Sequence, residues 1–185
     1  SPNPSVIPVT PTVSYSYDNL GNRTQMNDGF GYVTYNYDQL SRLTAETRFF
    51  DAGLTDAPQS PNGFTHSYNY HLGGSLKNVT YPNQTSINYN LDKTGRTDSI
   101  TGIADGQAKT FLSNLDYRAW GAAKRVDFGN TNYWQMTYNN RLLPDVEQHY
   151  NLMGGTMMAS VNNQYTYYAD GRLKMINDSS YHNTP

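Results

Sequence analysis

The chain has 185 residues, 13 basic and 15 acidic, with a formal net charge of -2. It has no cysteine, which excludes a disulfide framework and a thiolate metal site. No block of Lys or Arg offers a footprint for nucleic acid, and no apolar run approaches the roughly 18 residues of a membrane-spanning helix.

Apolar residues make up 36% of the chain, yet there are 17 Tyr against 6 Phe and 2 Trp. A tyrosine buries its ring and keeps its hydroxyl near water or a partner. The composition therefore predicts thin sheets with half-wet faces, and the 15 glycines fit many tight turns. No secretory leader is read at the start. Asn22, Asn78, Asn83 and Asn177 open Asn-x-Ser/Thr triplets, which arise readily in an Asn- and Thr-rich chain and carry no assignment of glycosylation.

In chain order, residues 1–12 hold Pro2, Pro4, Pro8 and Pro11 and read as an extended linker or edge segment. A repeat array follows over residues 13–178, and residues 179–185 are a C-terminal tail. The repeat is a tyrosine or leucine, an aspartate, two free residues, a glycine, and then a basic or apolar pair. It begins at Tyr17 (Tyr17-Asp18-Asn19-Leu20-Gly21-Asn22-Arg23-Thr24), at Tyr37 (with Ser41 in the glycine place) and at Tyr70 (with Gly74). It begins again at Leu91 (Leu91-Asp92-Lys93-Thr94-Gly95-Arg96), at Tyr117 in degenerate form (with Gly121), at Tyr138, and at Tyr167 (with Gly171). The Tyr138 unit reads as shortened by two residues.

Each unit is predicted to be strand, turn, strand, turn. Before the turn, Tyr15/Tyr17, Val33/Tyr35/Tyr37, Tyr68/Tyr70, Ile87/Tyr89/Leu91, Met136/Tyr138 and Tyr165/Tyr167 alternate with polar residues, the period of a strand with one packed face. The turn motif consists of Asp18, Asp38 and Asp92 at the first position and Gly21, Gly74, Gly95, Gly121 and Gly171 at the fourth, the preference of a type I turn. The carboxylate can accept a hydrogen bond from the backbone two residues on. The returning strand reaches an apolar position at Met26, Val79, Ile100, Val126 and Ile176, a column that Glu46 breaks. A second turn is marked by Asp28-Gly29, Pro82-Asn83 or Gly129-Asn130. Leu43, Leu76 and Leu173 lie an odd three residues before that column, so a bulge is needed to keep both on one face.

Residues 51–63 and 102–109 read as polar insertions, and residues 153–162, with Gly154-Gly155 and Met157-Met158, as a flexible or partly buried loop, with a partner-binding methionine patch as the alternative. Helix signals are nearly absent.

Enzymatic chemistry is not supported, and no catalytic residue, metal site or cofactor is expected. His66 and His71 fall on opposite strand faces, and His149 and His182 are distant in sequence. Asp18, Asp38 and Asp92 recur at one turn offset, which argues for turn-making. No calcium loop or phosphate-cradling glycine loop is present. Arg23, Arg42, Arg96 and Arg172 are read as cross-strand partners of Asp or Tyr. Tyr17, Tyr37, Tyr70, Tyr89, Tyr138 and Tyr167 could form an aromatic binding face on which sugars stack, although the face on which they recur is the one that must be packed.

These units resemble the YD repeats of the RHS family, over roughly residues 13 to 178. Tyr17–Thr24 is especially close to the family pattern, as are Thr80-Tyr81-Pro82-Asn83 and residues 138–144. The resemblance implies an all-β fold of consecutive antiparallel hairpins forming one long curved sheet, an arc of an RHS/YD shell. It implies a structural segment that encloses or presents a polypeptide, such as a toxin-like cargo, in a secreted or surface bacterial protein. In bacterial RHS proteins and the B and C components of Tc toxins, such shells enclose a toxic polypeptide; in teneurins the repeat is an adhesion scaffold. The expected partners are neighbouring repeats of a larger parent chain or a polypeptide cargo, with a carbohydrate- or cell-surface-binding module as the alternative. The family's aspartyl self-cleavage core is not found, and a closed shell needs more units than these seven, so a piece of a larger protein is expected. Its outer strands would expose unpaired backbone, covered by insertions, by the proline-rich start or by another copy.

Overall fold

The computed structural model describes residues 11–53 and 61–179. Its contacts divide the chain into two units, one up to Ser86 and one from Ile87. The first contains β1 (Ser14–Tyr17), β2 (Arg23–Asp28), β3 (Gly31–Tyr37), β4 (Leu43–Phe50), β5 (Phe64–Tyr70) and β6 (Leu76–Thr80). The second contains β7 (Ser86–Leu91, beginning at the boundary), β8 (Thr97–Ala104), β9 (Gln107–Tyr117), β10 (Ala123–Phe128), β11 (Tyr133–Tyr138), β12 (Pro144–Met153), β13 (Thr156–Tyr167) and β14 (Leu173–Asp178). Among the described residues there is no helix. Within each unit the strands lie side by side in chain order, and the registers of the pairs within β1–β6 and within β8–β14 are antiparallel. The all-β, hairpin-after-hairpin fold expected from the period-two pattern is what forms.

The hairpins share one reversal. In the first, the Gly21 amide donates to the Asp18 carbonyl at 3.1 Å and the Asp18 amide to the Asn22 carbonyl at 2.9 Å. The same two bonds recur around Asp38, His71, Asp92, Arg118, Asn139 and Tyr168. The fourth residue sits in the left-handed region in each case, from Ser41 at φ 58° to Gly121 at φ 96°. Glycine adopts that conformation without steric cost.

Of these seven turns two take it without a glycine, Ser41 at φ 58° and Leu142 at φ 61°; the same pair of bonds closes the turns at Tyr81 and Phe128, with Gln84 at φ 66° and Thr131 at φ 71° in that place. Leu142 corrects the reading of the Tyr138 unit as shortened. The turn Asn139-Asn140-Arg141-Leu142 is full length, with Leu142 in the glycine place and its amide bonded to the Asn139 carbonyl at 2.9 Å. Asn139 substitutes for the aspartate, its Oδ1 accepting from the Arg141 and Leu143 amides at 2.9 and 3.2 Å. A half-exposed leucine in this conformation is strained. Leu142→Gly is therefore expected to stabilise the chain by about 0.5–1 kcal/mol, seen as a higher urea midpoint with an unchanged slope.

The odd spacing after the turn is resolved by a bulge. Tyr37 faces Leu43 and Asn36 faces Ala45, so Thr44 is the extra residue and Glu46 comes opposite Tyr35. The same shift follows Tyr17, Tyr70, Tyr117, Tyr138 and Tyr167. Leu76 and Val79, or Leu173 and Ile176, thereby reach the same face as the tyrosines they oppose.

Two stretches read as insertion or loop are strand. Residues 102–109 belong to β8 and β9, which meet in the two-residue turn Asp105-Gly106 with φ of 53° and 71°. Residues 153–162 belong to β12 and β13, joined through Gly154-Gly155 at φ 58° and 85°. Two successive positive φ values make the tight turn whose twist suits a hairpin, so these polar residues lengthen strands instead of leaving them. Residues 1–10 of the proline-rich segment, 54–60 of the first insertion and 180–185 of the tail lie outside the described residues.

The sheet is thin. Tyr35 and Val79, each 8% exposed, are the buried hydrophobic residues among those described. The remaining apolar side chains are half-buried or exposed, as a tyrosine-rich and leucine-poor composition dictates.

Candidate functional site

The tyrosine face carries the recurrent chemistry. The last tyrosine before the turn donates its hydroxyl to a backbone carbonyl on the hairpin before it. Tyr37 reaches the Arg23 carbonyl at 2.9 Å, Tyr70 that of Leu43 at 2.7 Å, Tyr117 that of Thr97 at 2.9 Å and Tyr138 that of Ala123 at 2.7 Å. Arg23, Leu43 and Ala123 are the residues opposite Tyr17, Tyr37 and Tyr117 in their own hairpins, next to the bulge. The bulge disturbs the ladder there, and the incoming phenol supplies the missing donor. Each ring thus holds one hairpin to the next.

Arginines cover these rings. Arg42 lies 4.7 Å over Tyr70 and Arg96 4.4 Å over Tyr117, while their Nε atoms bond Asp38 and Asp92 at 2.7 and 3.0 Å. Arg42 also reaches the His71 carbonyl at 3.3 Å, and Arg141 the Tyr168 carbonyl at 3.3 Å, tying successive turns together. Arg23 comes one place later, because Asn22 takes the position beside Asp18; its guanidinium lies 4.2 Å over Tyr35. Arg172 bonds Asp170, the residue before Gly171, at 2.7 Å and lies 5.6 Å from the Tyr168 ring centre. Each aspartate Oδ1 accepts two amides: those of Leu20 and Asn22 for Asp18, Leu40 and Arg42 for Asp38, and Thr94 and Arg96 for Asp92. The side-chain bond from Asn22 leads in holding the Asp18 carboxyl below its ordinary value, the Arg42 amide leads for Asp38, and the Thr94 hydroxyl leads for Asp92.

Two glutamates occupy equivalent places on this face. Glu46 lies opposite Tyr35 and accepts the Tyr68 hydroxyl at 2.9 Å, with His66 Nδ1 3.8 Å away. Burial, then the bond to Glu46, pushes the Tyr68 hydroxyl up to about 12. Glu147 lies opposite Met136 and accepts from the Tyr165 hydroxyl at 2.6 Å, Trp134 Nε1 at 3.0 Å and Asn163 Nδ2 at 3.3 Å. The Tyr165 bond first, and Trp134 next, lower the Glu147 carboxyl to about 2, and the same carboxylate raises Tyr165 to about 12. Glu147 was not singled out in the sequence. The signal for it is the matching order of Tyr32, Tyr37 and Glu46 with Tyr133, Tyr138 and Glu147, which repeats at one spacing.

The opposite face is a ladder of amides and hydroxyls. Gln135 donates to Gln148 at 2.7 Å, Gln148 to Asn162 at 3.1 Å and Asn162 to Ser179 at 2.8 Å. Stacked ring pairs stand on it, Tyr32 with Phe49 at 4.7 Å and Tyr133 with Tyr150 at 4.5 Å.

Of the proposed aromatic binding face, Tyr37, Tyr70 and Tyr138 spend their hydroxyls on backbone, and Tyr138 is also packed edge-on by Trp120 at 5.6 Å. Tyr89 and Tyr167 are half-buried, and Tyr17 on β1 is exposed. His66 packs edge-on against Tyr81 at 5.6 Å on the tyrosine face, whereas His71 opens a turn. No cluster of three or more metal-ligating side chains occurs among the described residues, and His182 lies outside them.

No family model and no curated protein matches the sequence. Solved structures do match. The crystal structure of TcdB2-TccC3-TEV aligns with a TM-score of 0.75 at 14% identity over 91% of this chain, and that of TcdB2-TccC3 with 0.74 at 13% over 92%. A Tc holotoxin pore from Photorhabdus luminescens aligns with 0.74 at 15% over 91%. In each case the chain spans 9% of the length of the protein it matches. At this identity the likeness establishes the fold: a run of antiparallel β-hairpins like that in one short stretch of these toxin chains.

Proposed function

We propose that this chain is a structural wall segment of an RHS/YD-type shell, built to enclose or present another polypeptide, and that it performs no catalysis. The supporting observation is the tyrosine bond repeated at Tyr37, Tyr70, Tyr117 and Tyr138, which commits these recurrent hydroxyls to holding hairpins together. The aspartates that could have served as catalytic carboxylates are likewise committed to turn amides. The fold matches fall on Tc toxin structures, the assemblies that the resemblance of the tyrosine units already implied. A secreted or surface location belongs to the same reading. The test is electron cryo-microscopy of the parent protein. The proposal expects many further hairpins continuing this wall and polypeptide density within it; a parent without further hairpins, or with an empty solvent-open sheet, overturns it.

A further inference from the structure

We propose that the cavity at the turn end of β9, β10 and β11 is a carboxylate-binding site, which holds an aspartate or glutamate side chain of the enclosed polypeptide. The source of the carboxylate rests on the wall-segment reading; the site itself rests on the residues around it. The cavity measures about 330 Å³ and is lined by Arg118, Lys124 and Arg125 together with Asp116, Gln135 and Thr137.

Arg118 reverses the sign of its turn. It stands in the first turn place, which Asp18, Asp38 and Asp92 occupy elsewhere, and Ala122 stands where Arg42 and Arg96 are. Those other turns are neutral pairs, Asp38 with Arg42 and Asp92 with Arg96. The turn 118–122 has the cation and no carboxylate. The Arg118 Nε is buried and has no hydrogen-bond partner among the described residues, and its guanidinium carbon lies 5.9 Å from the Tyr138 ring centre. A buried donor without an acceptor is costly. The acceptor this fold gives an arginine Nε is a carboxylate: Asp38 at 2.7 Å from Arg42, Asp92 at 3.0 Å from Arg96 and Asp127 at 2.7 Å from Arg125. The motion asked of the chain is a rotation of the Arg118 side chain that brings its Nε–H and Nη–H fork into the cavity it already lines.

The bulge supplies a second cation. Lys124 is the extra residue between the pairs Ala123–Tyr117 and Arg125–Asp116, and it is exposed. Arg125 is already held by Asp127. Thr137 accepts the Val146 amide at 3.0 Å and so keeps its hydroxyl proton to donate. Three cations meet two carboxylates, Asp116 and the Asp127 that holds Arg125, which leaves one positive charge. One excess charge suits a singly charged carboxylate, whereas a phosphate dianion would be repelled by Asp116.

The probe is N-acetylglutamate α-amide, which carries one side-chain carboxylate, with N-acetylglutamine amide as its neutral twin. Titrated into the full chain, the acid is expected to move the Arg118 Nε–H and Lys124 backbone amide resonances saturably, with a dissociation constant in the millimolar range. The neutral twin is expected to leave both in place, and inorganic phosphate to bind more weakly than the acid. Lys124→Ala is expected to weaken the acid about threefold. Arg118→Asp, which restores the aspartate of the other turns, is expected to abolish binding at the Lys124 amide. No saturable shift, an equal shift from the neutral twin, tighter binding of phosphate, or full affinity in either variant would overturn the site and leave the wall-segment reading standing. A parent protein with no polypeptide inside it would instead overturn the polypeptide as the source and leave the binding results in place.

Discussion

Gly31→Ala is expected to cost about 3 kcal/mol or to prevent folding of the first unit, read as a lower urea midpoint or as aggregation on expression. Gly31 is buried at the start of β3 with φ 135°, a region that side chains other than hydrogen rarely enter. A Cβ there would run into the Phe49 carbonyl oxygen and lie 3.0 Å from the Phe50 Cα. Both are backbone atoms of the neighbouring strand, and Gly31 pairs with Phe50. The strand cannot step aside, because the residues after it are locked in register as far as Thr34 and Thr47. Gly21→Ala is the control. Its φ is 84° but nothing lies within 4 Å of the added carbon, so only the backbone penalty of about 1 kcal/mol remains. Equal costs at the two sites would show that the close approach of β3 and β4 is not as described.

Glu147→Ala is expected to cost about 2–3 kcal/mol, because the Tyr165 hydroxyl, the Trp134 ring N–H and the Asn163 amide lose their acceptor together on a half-buried face. Glu147→Gln keeps one acceptor oxygen and should cost about 1 kcal/mol. The pH dependence separates charge from shape. The folded-state carboxyl lies at about 2, below its ordinary 4.5. A depressed value means that the stabilisation is fully present above about pH 4.5 and is lost as pH falls towards 2. After discounting for solvent screening this limb is worth about 1–2 kcal/mol. Tyr165 adds a limb of opposite sense: its raised value of about 12 makes a stabilisation present below pH 10 and lost between 10 and 12. Urea midpoints between pH 2 and 5 should fall steeply for the unaltered chain and less steeply for Glu147→Gln. Parallel curves would mean that Glu147 is not ionised in this network.

Much of the fold is legible in the sequence because each unit states it twice, once in the alternation before the turn and once in the turn residues. Tyr35-Asn36-Tyr37-Asp38 predicts both a strand and its end. The readings that needed correction share one cause: a residue type was taken as the signal where the backbone position was. Leu142 occupies a glycine place without being glycine, so the Tyr138 unit looked short. Gly154-Gly155 and Asp105-Gly106 looked like loops because polar residues flank them, although two residues suffice to turn a hairpin. A bulge after the turn was suggested by the spacing of Leu76 and Val79 and of Leu173 and Ile176, but its position had to come from the strand pairing.

The tyrosine face was legible as a row of rings, and its chemistry was not. Where a phenol points its proton depends on which carbonyl the neighbouring bulge leaves short of a donor, and that neighbour is 14 residues away for Tyr37 and 27 for Tyr70. Glu46 looked like a break in an apolar column. Opposite Tyr35 and beneath the Tyr68 hydroxyl it is an acceptor set among donors, and Glu147 repeats the arrangement.

A phenylalanine series read in urea under dilute conditions tests most directly whether these phenols join each hairpin to the one before it. Tyr37→Phe, Tyr70→Phe, Tyr117→Phe and Tyr138→Phe should each lose about 1 kcal/mol, the net value of one hydrogen bond with the ring retained, and Tyr17→Phe should lose nothing. Four unchanged midpoints, or a loss at Tyr17 as large as at the others, would contradict the account.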